Sequence, residues 1–271
     1  MGTLHRGLAG LLVGIGRAGA VMIYLYAWPA AAYRPFDGTD AGVANLDEIE
    51  IELQPAGRMQ AGPQSTLIAP AVVYNYGFAE RWEMVLQTQG ETPLSPGGPS
   101  SLAASGAFLK YVIQPGVLQG QSGVSIATEF GPLLPGVNAD PGVGFSWAGI
   151  VSQRWDWGTA HFNVETNLTR DQHGEAFLGV ILEGPSMWKV RPVVEVFYDK
   201  IWLETETRSA LLGAIWQVRD DLSFDAAYRY ALVNGHALNE IRAGLTFAFK
   251  AGSDKTPIAP GATFGNWGLS R

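Results

Sequence analysis

Between residues 46 and 250, charged side chains tend to fall at alternate positions, and these groups are the ones with which the chain could act on a solute. The acids of the set are Glu48, Glu50, Glu52, Glu83, Glu129, Glu165, Glu195, Asp199 and Asp225. The bases are Lys110, Arg154, Lys189, Arg191, Arg229, Arg242 and Lys250, and His161 shares their face. Such a set has two uses. Charges of both signs turned to one interior neutralise one another, because an unpaired charge away from water is costly. Rings of charge along a polar path can also choose which solute passes. At any single position the mixture of signs favours neutralisation; as a set, these residues are the candidate lining of a lumen.

Other chemistries find little support. The sequence has no Gly-rich phosphate loop and no Gly-x-Ser-x-Gly elbow, and it has no cysteine. Past residue 33 the histidines are His161, His173 and His236, and no two are close enough in sequence to read as a metal motif. Solvated loops account for His173 and His236, so neither a metal ion nor a cofactor is expected. A lipid hydrolase would need a serine within reach of His161. Ser152 has the parity of Ala148 and Ile150 and is not obviously aimed at His161, while Glu165 lies on the same side as the histidine. No catalytic residue is therefore assigned, and the chain is expected not to be an enzyme.

Side chains at every second position need strands to carry them. The clearest is Ala160 to Leu168, where Ala160, Phe162, Val164, Thr166 and Leu168 oppose His161, Asn163, Glu165 and Asn167. Leu222 to Tyr230 repeats the pattern, as do Glu48 to Leu53 and Ile241 to Lys250. Weaker runs complete a series near 46–54, 65–76, 78–89, 103–114, 122–131, 142–153, 158–168, 174–183, 188–199, 208–217, 221–231 and 239–250. Each is close to the roughly 9–11 residues that a tilted strand needs to cross a bilayer.

The links carry a second signal. Short turns are read at Gly77, Trp155–Gly158, Gly184–Met187 and Arg219–Asp221, and a moderate one at Pro115–Gln121. Longer links are read at Pro55–Gln64, Gly90–Leu102, Gly131–Pro141, Thr169–His173, Lys200–Thr207 and Leu232–Leu238. Alternation of short and long links is the asymmetry of outer-membrane barrels. Aromatic residues such as Tyr74, Trp82, Tyr111, Trp155, Trp188, Trp202 and Tyr230 fall near strand ends, as interfacial girdles require. Charged residues make up 16%, against roughly 25% in soluble domains. The expected fold is all-β: a transmembrane up-and-down antiparallel β-barrel of about 12 strands. Its first and last strands should close the barrel, with Glu48 towards Lys250 and Glu52 towards Arg242; stagger in a tilted barrel can shift each partner by a residue pair, so the expectation is the seam and not the individual contacts.

The N-terminus reads as an address. Arg6 and Arg17 precede an apolar run from Ala18 to Trp28, then Pro29 and Ala30, Ala31 and Ala32. This is the order of a secretory signal. Only 16 uncharged residues separate Arg17 from Arg34, short of a helical span. Removing residues 1–32 takes away two arginines and no acid, which moves the net charge from −7 to −9. An acidic chain disfavours nonspecific binding to nucleic acid. The organisation expected is a signal peptide at 1–32, the barrel at 33–250 and a tail at 251–271.

Two stretches carry a resemblance. Arg242, Gly244, Phe247 and Phe249 of the last strand resemble the signal by which outer-membrane assembly machinery recognises its clients, though here 22 residues follow the aromatic. Arg34-Pro35-Phe36-Asp37-Gly38-Thr39-Asp40, then Leu46-Asp47-Glu48-Ile49-Glu50-Ile51-Glu52-Leu53, resemble the opening of the outer-membrane family labelled meta-pathway phenol-degradation proteins. The resemblance implies an outer-membrane barrel that moves small, often aromatic, molecules. The partners expected are outer-membrane lipid, the assembly machinery through the last strand, and a small-molecule solute. A passive channel or carrier in a Gram-negative outer membrane is the reading taken forward. The alternatives are a barrel that only displays its loops and, less favoured, a lipid hydrolase. N-terminal sequencing of membrane-extracted protein should begin near Tyr33, and finding Met1 there would overturn the export argument.

Overall fold

The computed structural model describes residues 34–251. The expected signal peptide at 1–32 and nearly all of the expected tail lie outside the described residues. Twelve strands form one closed barrel: β1 (Glu48–Ala61), β2 (Gln64–Ala79), β3 (Trp82–Ser95), β4 (Ser101–Gln114), β5 (Ser125–Leu133), β6 (Gly144–Trp155), β7 (Gly158–Leu168), β8 (Gly174–Glu183), β9 (Val190–Ile201), β10 (Thr205–Arg219), β11 (Leu222–Val233) and β12 (His236–Lys250). Neighbours in sequence pair antiparallel, and β1 pairs antiparallel with β12, so no strand edge is left open.

Burial along the strands is inverted relative to a water-soluble protein. On β7, His161 and Asn163 are buried while Phe162 is 45% exposed. On β11, Ser223 and Asp225 are buried while Phe224 and Tyr228 stand outside. Leu212 of β10 is 64% exposed, and Leu86, Leu109, Leu178 and Ile241 extend the same outer apolar face around the wall. An apolar belt of this extent is stable only against lipid. No helix among the described residues is long and apolar enough to cross a membrane, and the wall crosses with strands.

Aromatic side chains border the belt at both ends. At the end carrying both termini of the barrel (the near end) stand Trp82 against Tyr111, Trp155 stacked on Trp157, and Trp216 beside Phe224. Trp147, Tyr198, Trp202 and Tyr230 lie towards the other, far end.

Several details differ from the sequence expectation. Pro55 does not end β1; a register shift between Leu53 and Ala56 absorbs it, and pairing resumes to Ala61. A bulge tolerates proline because it interrupts the ladder there anyway. The turn that follows is only residues 62–63, with Gly62 at φ 55°. Gly77 is not a turn but lies inside β2, where a Cβ would come within 2.0 Å of the Asn45 carbonyl oxygen. The far links shorten to 62–63, 202–204 and 234–235 in three cases, while the near link 115–124 is long and folds into a 3₁₀ turn, Val117–Gln119. The regular alternation of short and long links is therefore not what the chain does. Proline and glycine near strand ends imitate loops wherever a strand continues through them.

The first and last strands form the expected seam, with some partners shifted. Glu48 faces Lys250 as expected, but Glu52 faces Thr246, and Arg242 faces Gly57. Four residues along one strand of an antiparallel pair correspond to four along the other, which carries Glu52 only as far as Thr246. Lys189 falls in the link before β9, exposed at the near rim, and does not line the lumen.

Phe162→Arg and Leu212→Arg should each cost about 2–4 kcal/mol of stability in lipid vesicles, whereas Gln87→Arg, which faces the lumen, should cost under about 1 kcal/mol. Urea unfolding midpoints would measure this. Equal losses at all three positions would mean that the assignment of faces is wrong.

Candidate functional site

Residues 34–47 precede β1 and lack its alternation; Pro35, Gly38 and Gly42 interrupt any regular element. They do not leave the barrel. The segment lies inside the lumen and is tied to strands from every part of the wall. Arg34 reaches Asp225 of β11 at 3.3 Å and Gln54 of β1 at 2.9 Å, crossing the wall over Gly244. Glu195 of β9 accepts the backbone N–H groups of Asp37 and Gly38 at 2.9 and 2.7 Å. Asn163 of β7 makes a reciprocal pair with Thr39, accepting its N–H at 2.9 Å and donating to its carbonyl at 2.8 Å. Lys110 of β4 contacts the Thr39 hydroxyl at 3.2 Å and the Asp40 carboxylate at 3.7 Å. Ser152 of β6 accepts the Ala41 N–H, and Glu83 of β3 accepts the Ala44 N–H.

Apolar contacts add to these bonds. Phe36 packs on Val193, Leu211, Ile215 and Ala227, which face inward from β9, β10 and β11. Ala41 sits with Leu118, Ala127, Ala148 and Ile150. Leu118 belongs to the 3₁₀ turn of the near link, and the adjacent Gln119 donates to the Ala41 carbonyl at 2.8 Å. The near link thus reaches inward to hold the segment.

The lumen charges expected from alternation mostly turn inward, and their partners are now visible. Asp37 pairs with Arg242 at 2.9 Å and with Arg229 at 3.5 Å. Glu240, overlooked in the sequence, binds Arg242 at 2.8 Å and Arg229 at 3.0 Å. Glu183, likewise overlooked, takes Arg191 at 3.3 Å, and Arg154 bonds Thr159. Glu48, Glu50 and Glu52 form a buried acidic line on β1, where Asn75 donates to Glu52 at 2.9 Å.

One correction concerns Ser152. The parity of Ala148 and Ile150 is the inward one, and Ser152 lies directly opposite His161, its Oγ 2.8 Å from Nδ1. The Nε2 atom of His161 is 3.2 Å from Glu183. Serine, histidine and acid are therefore connected in the order a nucleophilic hydrolase uses. Ser152 is nevertheless 0% exposed and its hydroxyl also accepts the Ala41 N–H. In this arrangement the three side chains form an anchor for the segment.

Beyond the segment, towards the far end, the lumen keeps two adjoining cavities of about 370 and 220 Å³. Arg34, Phe36, Asp37, Val73, Gln87 and Ala104 border both. Glu52, Glu129 and Glu165 line the larger and Arg242 the smaller. Among the described residues, no group of three or more His, Asp and Glu side chains converges as a metal site would.

No protein-family model matches the chain, and no curated protein matches it. Solved structures do share its fold. An outer membrane channel from Pseudomonas putida F1 is 10% identical with a TM-score of 0.53, over 79% of this chain and 100% of that one. The NanC porin is 7% identical with a TM-score of 0.51, over 73% of this chain and 98% of that one. At such identities the likeness establishes the twelve-strand barrel and nothing of its solute.

A cysteine at position 39 should be sheltered from a water-soluble maleimide in the intact protein. Arg242→Met leaves Asp37 and Glu240 short of a buried counter-charge, a change worth about 3–5 kcal/mol when one partner of a buried pair is lost. Labelling of Thr39→Cys should then accelerate at least tenfold; an unchanged rate would show that Asp37–Arg242 does not hold the segment.

Proposed function

We propose that the chain is an outer-membrane channel through which small molecules pass passively, and that residues 34–47 set how far its lumen is open. One observation carries the reading: a polar lumen continues past the segment as cavities, and the segment is attached to the wall by side-chain and backbone hydrogen bonds. Twelve strands enclose more than the filled eight-stranded barrels and less than the open sixteen-stranded ones. A single extended segment is therefore enough to narrow the path. The fold shared with channels and porins supports this reading. So does the resemblance of residues 34–53 to a family associated with small aromatic compounds, although among the described residues only Phe36 and Phe108 bring aromatic rings to the larger cavity.

On this reading the protein is exported, its outer apolar belt meets outer-membrane lipid, and β12 presents Gly244, Phe247 and Phe249 to the assembly machinery. The Ser152–His161–Glu183 chain favours a second reading as a hydrolase, for which esterase activity lost in His161→Ala would be the sign.

Planar-bilayer recordings test the proposal. The intact protein should give small, discrete conductance steps, and deletion of residues 34–44 should raise the step size several-fold. Absence of conductance in both forms would point instead to a barrel that only displays its loops.

A further inference from the structure

We infer that the outer face of the wall, at the far ends of β9 to β12 and β1, binds the phosphorylated headgroup of an outer-leaflet glycolipid, with Lys200, Arg208 and Arg58 holding its phosphates. The inference deepens the outer-membrane reading and rests on it. On that reading the near end, which carries both termini of the barrel, faces the periplasm. The far end then stands in the leaflet whose lipid is a phosphorylated glycolipid.

Strand parity fixes where these bases point. Val194, Val196 and Tyr198 stand on the outer face of β9, and Lys200 is the next position of that face. On β10 the exposed Leu212 shares its face with Ala210, Arg208 and Glu206, which run towards the far turn. The register sets Glu206 opposite Lys200 and Arg208 opposite Tyr198, so these four side chains form a square outside the wall. Arg58 lies on β1 opposite Ile241, which also faces outward. Arg58 comes four residues before the turn 62–63, and Arg208 four residues after the link 202–204, so both sit at a similar depth. With β11 and β12 between them, they are roughly 20 Å apart along the wall. Tyr228, Tyr230 and Asn239 occupy the outer face of that interval.

On this face three bases stand against one acid. Glu206 takes Arg208 Nη2 at 2.7 Å and lies 3.9 Å from Lys200 Nζ, and the Arg208 side chain is still 70% exposed. Arg58 donates to Ser65 at 3.0 Å and to Gln60 at 3.3 Å, both neutral. The near end differs, because there Arg219 makes a two-bond fork with its own Asp221. A guanidinium beside an ammonium suits a phosphate, which accepts charge-assisted hydrogen bonds from both. The tyrosines between the bases have apolar rings for the lipid boundary and hydroxyls for a sugar. Leu212, Ile241 and Phe224, all exposed, continue the same face towards the near end and would receive acyl chains. A free phosphate would use neither the tyrosines nor this apolar wall, so the occupant is the lipid.

Native mass spectrometry of the purified protein with added lipid tests the site without requiring transport. Bisphosphorylated lipid A should bind at least tenfold more tightly than the same lipid stripped of phosphate, or than phosphatidylglycerol. Lys200→Ala combined with Arg208→Ala should weaken it about tenfold, and Arg58→Ala about threefold. Glu206→Gln should strengthen it about threefold, because it frees both neighbouring bases. Equal binding of the phosphorylated and stripped lipids to the unaltered protein would overturn the inference, even if a variant fails to fold. Equal binding of phosphatidylglycerol would do the same, since any anionic lipid would then serve. Displacement by inorganic pyrophosphate at the lipid's own concentration would show a site for phosphate alone and also overturn it. Lipid preference without conductance in either the intact or the 34–44-deleted form would sink the channel reading and leave the site. Conductance without lipid preference would sink the site and leave the channel.

Discussion

Carboxylates turned into a narrow lumen must find hydrogen-bond donors there, and the arrangement of this barrel depends on where those donors come from. Lipid outside forces the apolar side chains outward, so the charged ones can go only inward. The inward face is rich in acids, and burying an ion without a partner costs several kcal/mol. Arginines of the wall answer part of the demand: Arg191 at Glu183, Arg229 and Arg242 at Glu240. The rest is answered by the chain's own beginning. Backbone N–H groups of Asp37, Gly38 and Ala44 go to Glu195 and Glu83, and Arg34 goes to Asp225.

This explains why a segment without regular structure can be well placed. Each of its backbone donors would be orphaned in an apolar interior, and here the named ones meet acceptors fixed on β3, β6, β7 and β9. Phe36 and Ala41 contribute packing at the inward apolar patches. The wall in turn is shaped to receive the segment. Gly77 and Gly244 leave room where the Asn45 carbonyl and the Arg34 guanidinium pass. Ser152, held between His161 and the Ala41 N–H, belongs to the same system. A polar anchor of this kind is local and reversible, in contrast with a strand of the wall, whose removal would open two sheet edges.

The donors do not reach everywhere. The segment serves the near and middle lumen, and the acids facing the larger cavity on β5, β7 and β8 lie beyond it. Ion pairs thus gather around Asp37, Arg229, Glu240 and Arg242. The difference comes from the length and path of fourteen residues, since the strands present acids of similar spacing in both places.

How much of this was legible in the sequence differs from element to element. Strands β7 and β11 were plain, because lipid on one side and polar lumen on the other impose strict alternation, and their faces are as read. Strand number followed for the same reason. Turn positions were less legible: Pro55 sits in a bulge and Gly77 beneath a passing backbone, and neither use differs in sequence from a turn. The inward charges were legible as a set, except for Lys189 at the rim, but their partners were not. Arg242 was matched to Glu52 and in fact serves Asp37 and Glu240. Asn163 was read only as facing the lumen, Ser152 was weighed but not seen to aim at His161, and Glu183 and Asn75 were overlooked, because a neutral or isolated polar residue on a strand has no local mark. The available sign was the unpatterned stretch of residues 34–47, with Arg34, Asp37 and Asp40 next to an acid-rich strand. The sequence by itself determined which side chains meet lipid and which meet the lumen, since strand periodicity is a property of neighbouring residues. Only the tertiary structure decided that the lumen is occupied by the chain's own segment and which acids it meets, because those contacts join residues from 20 to 207 positions apart.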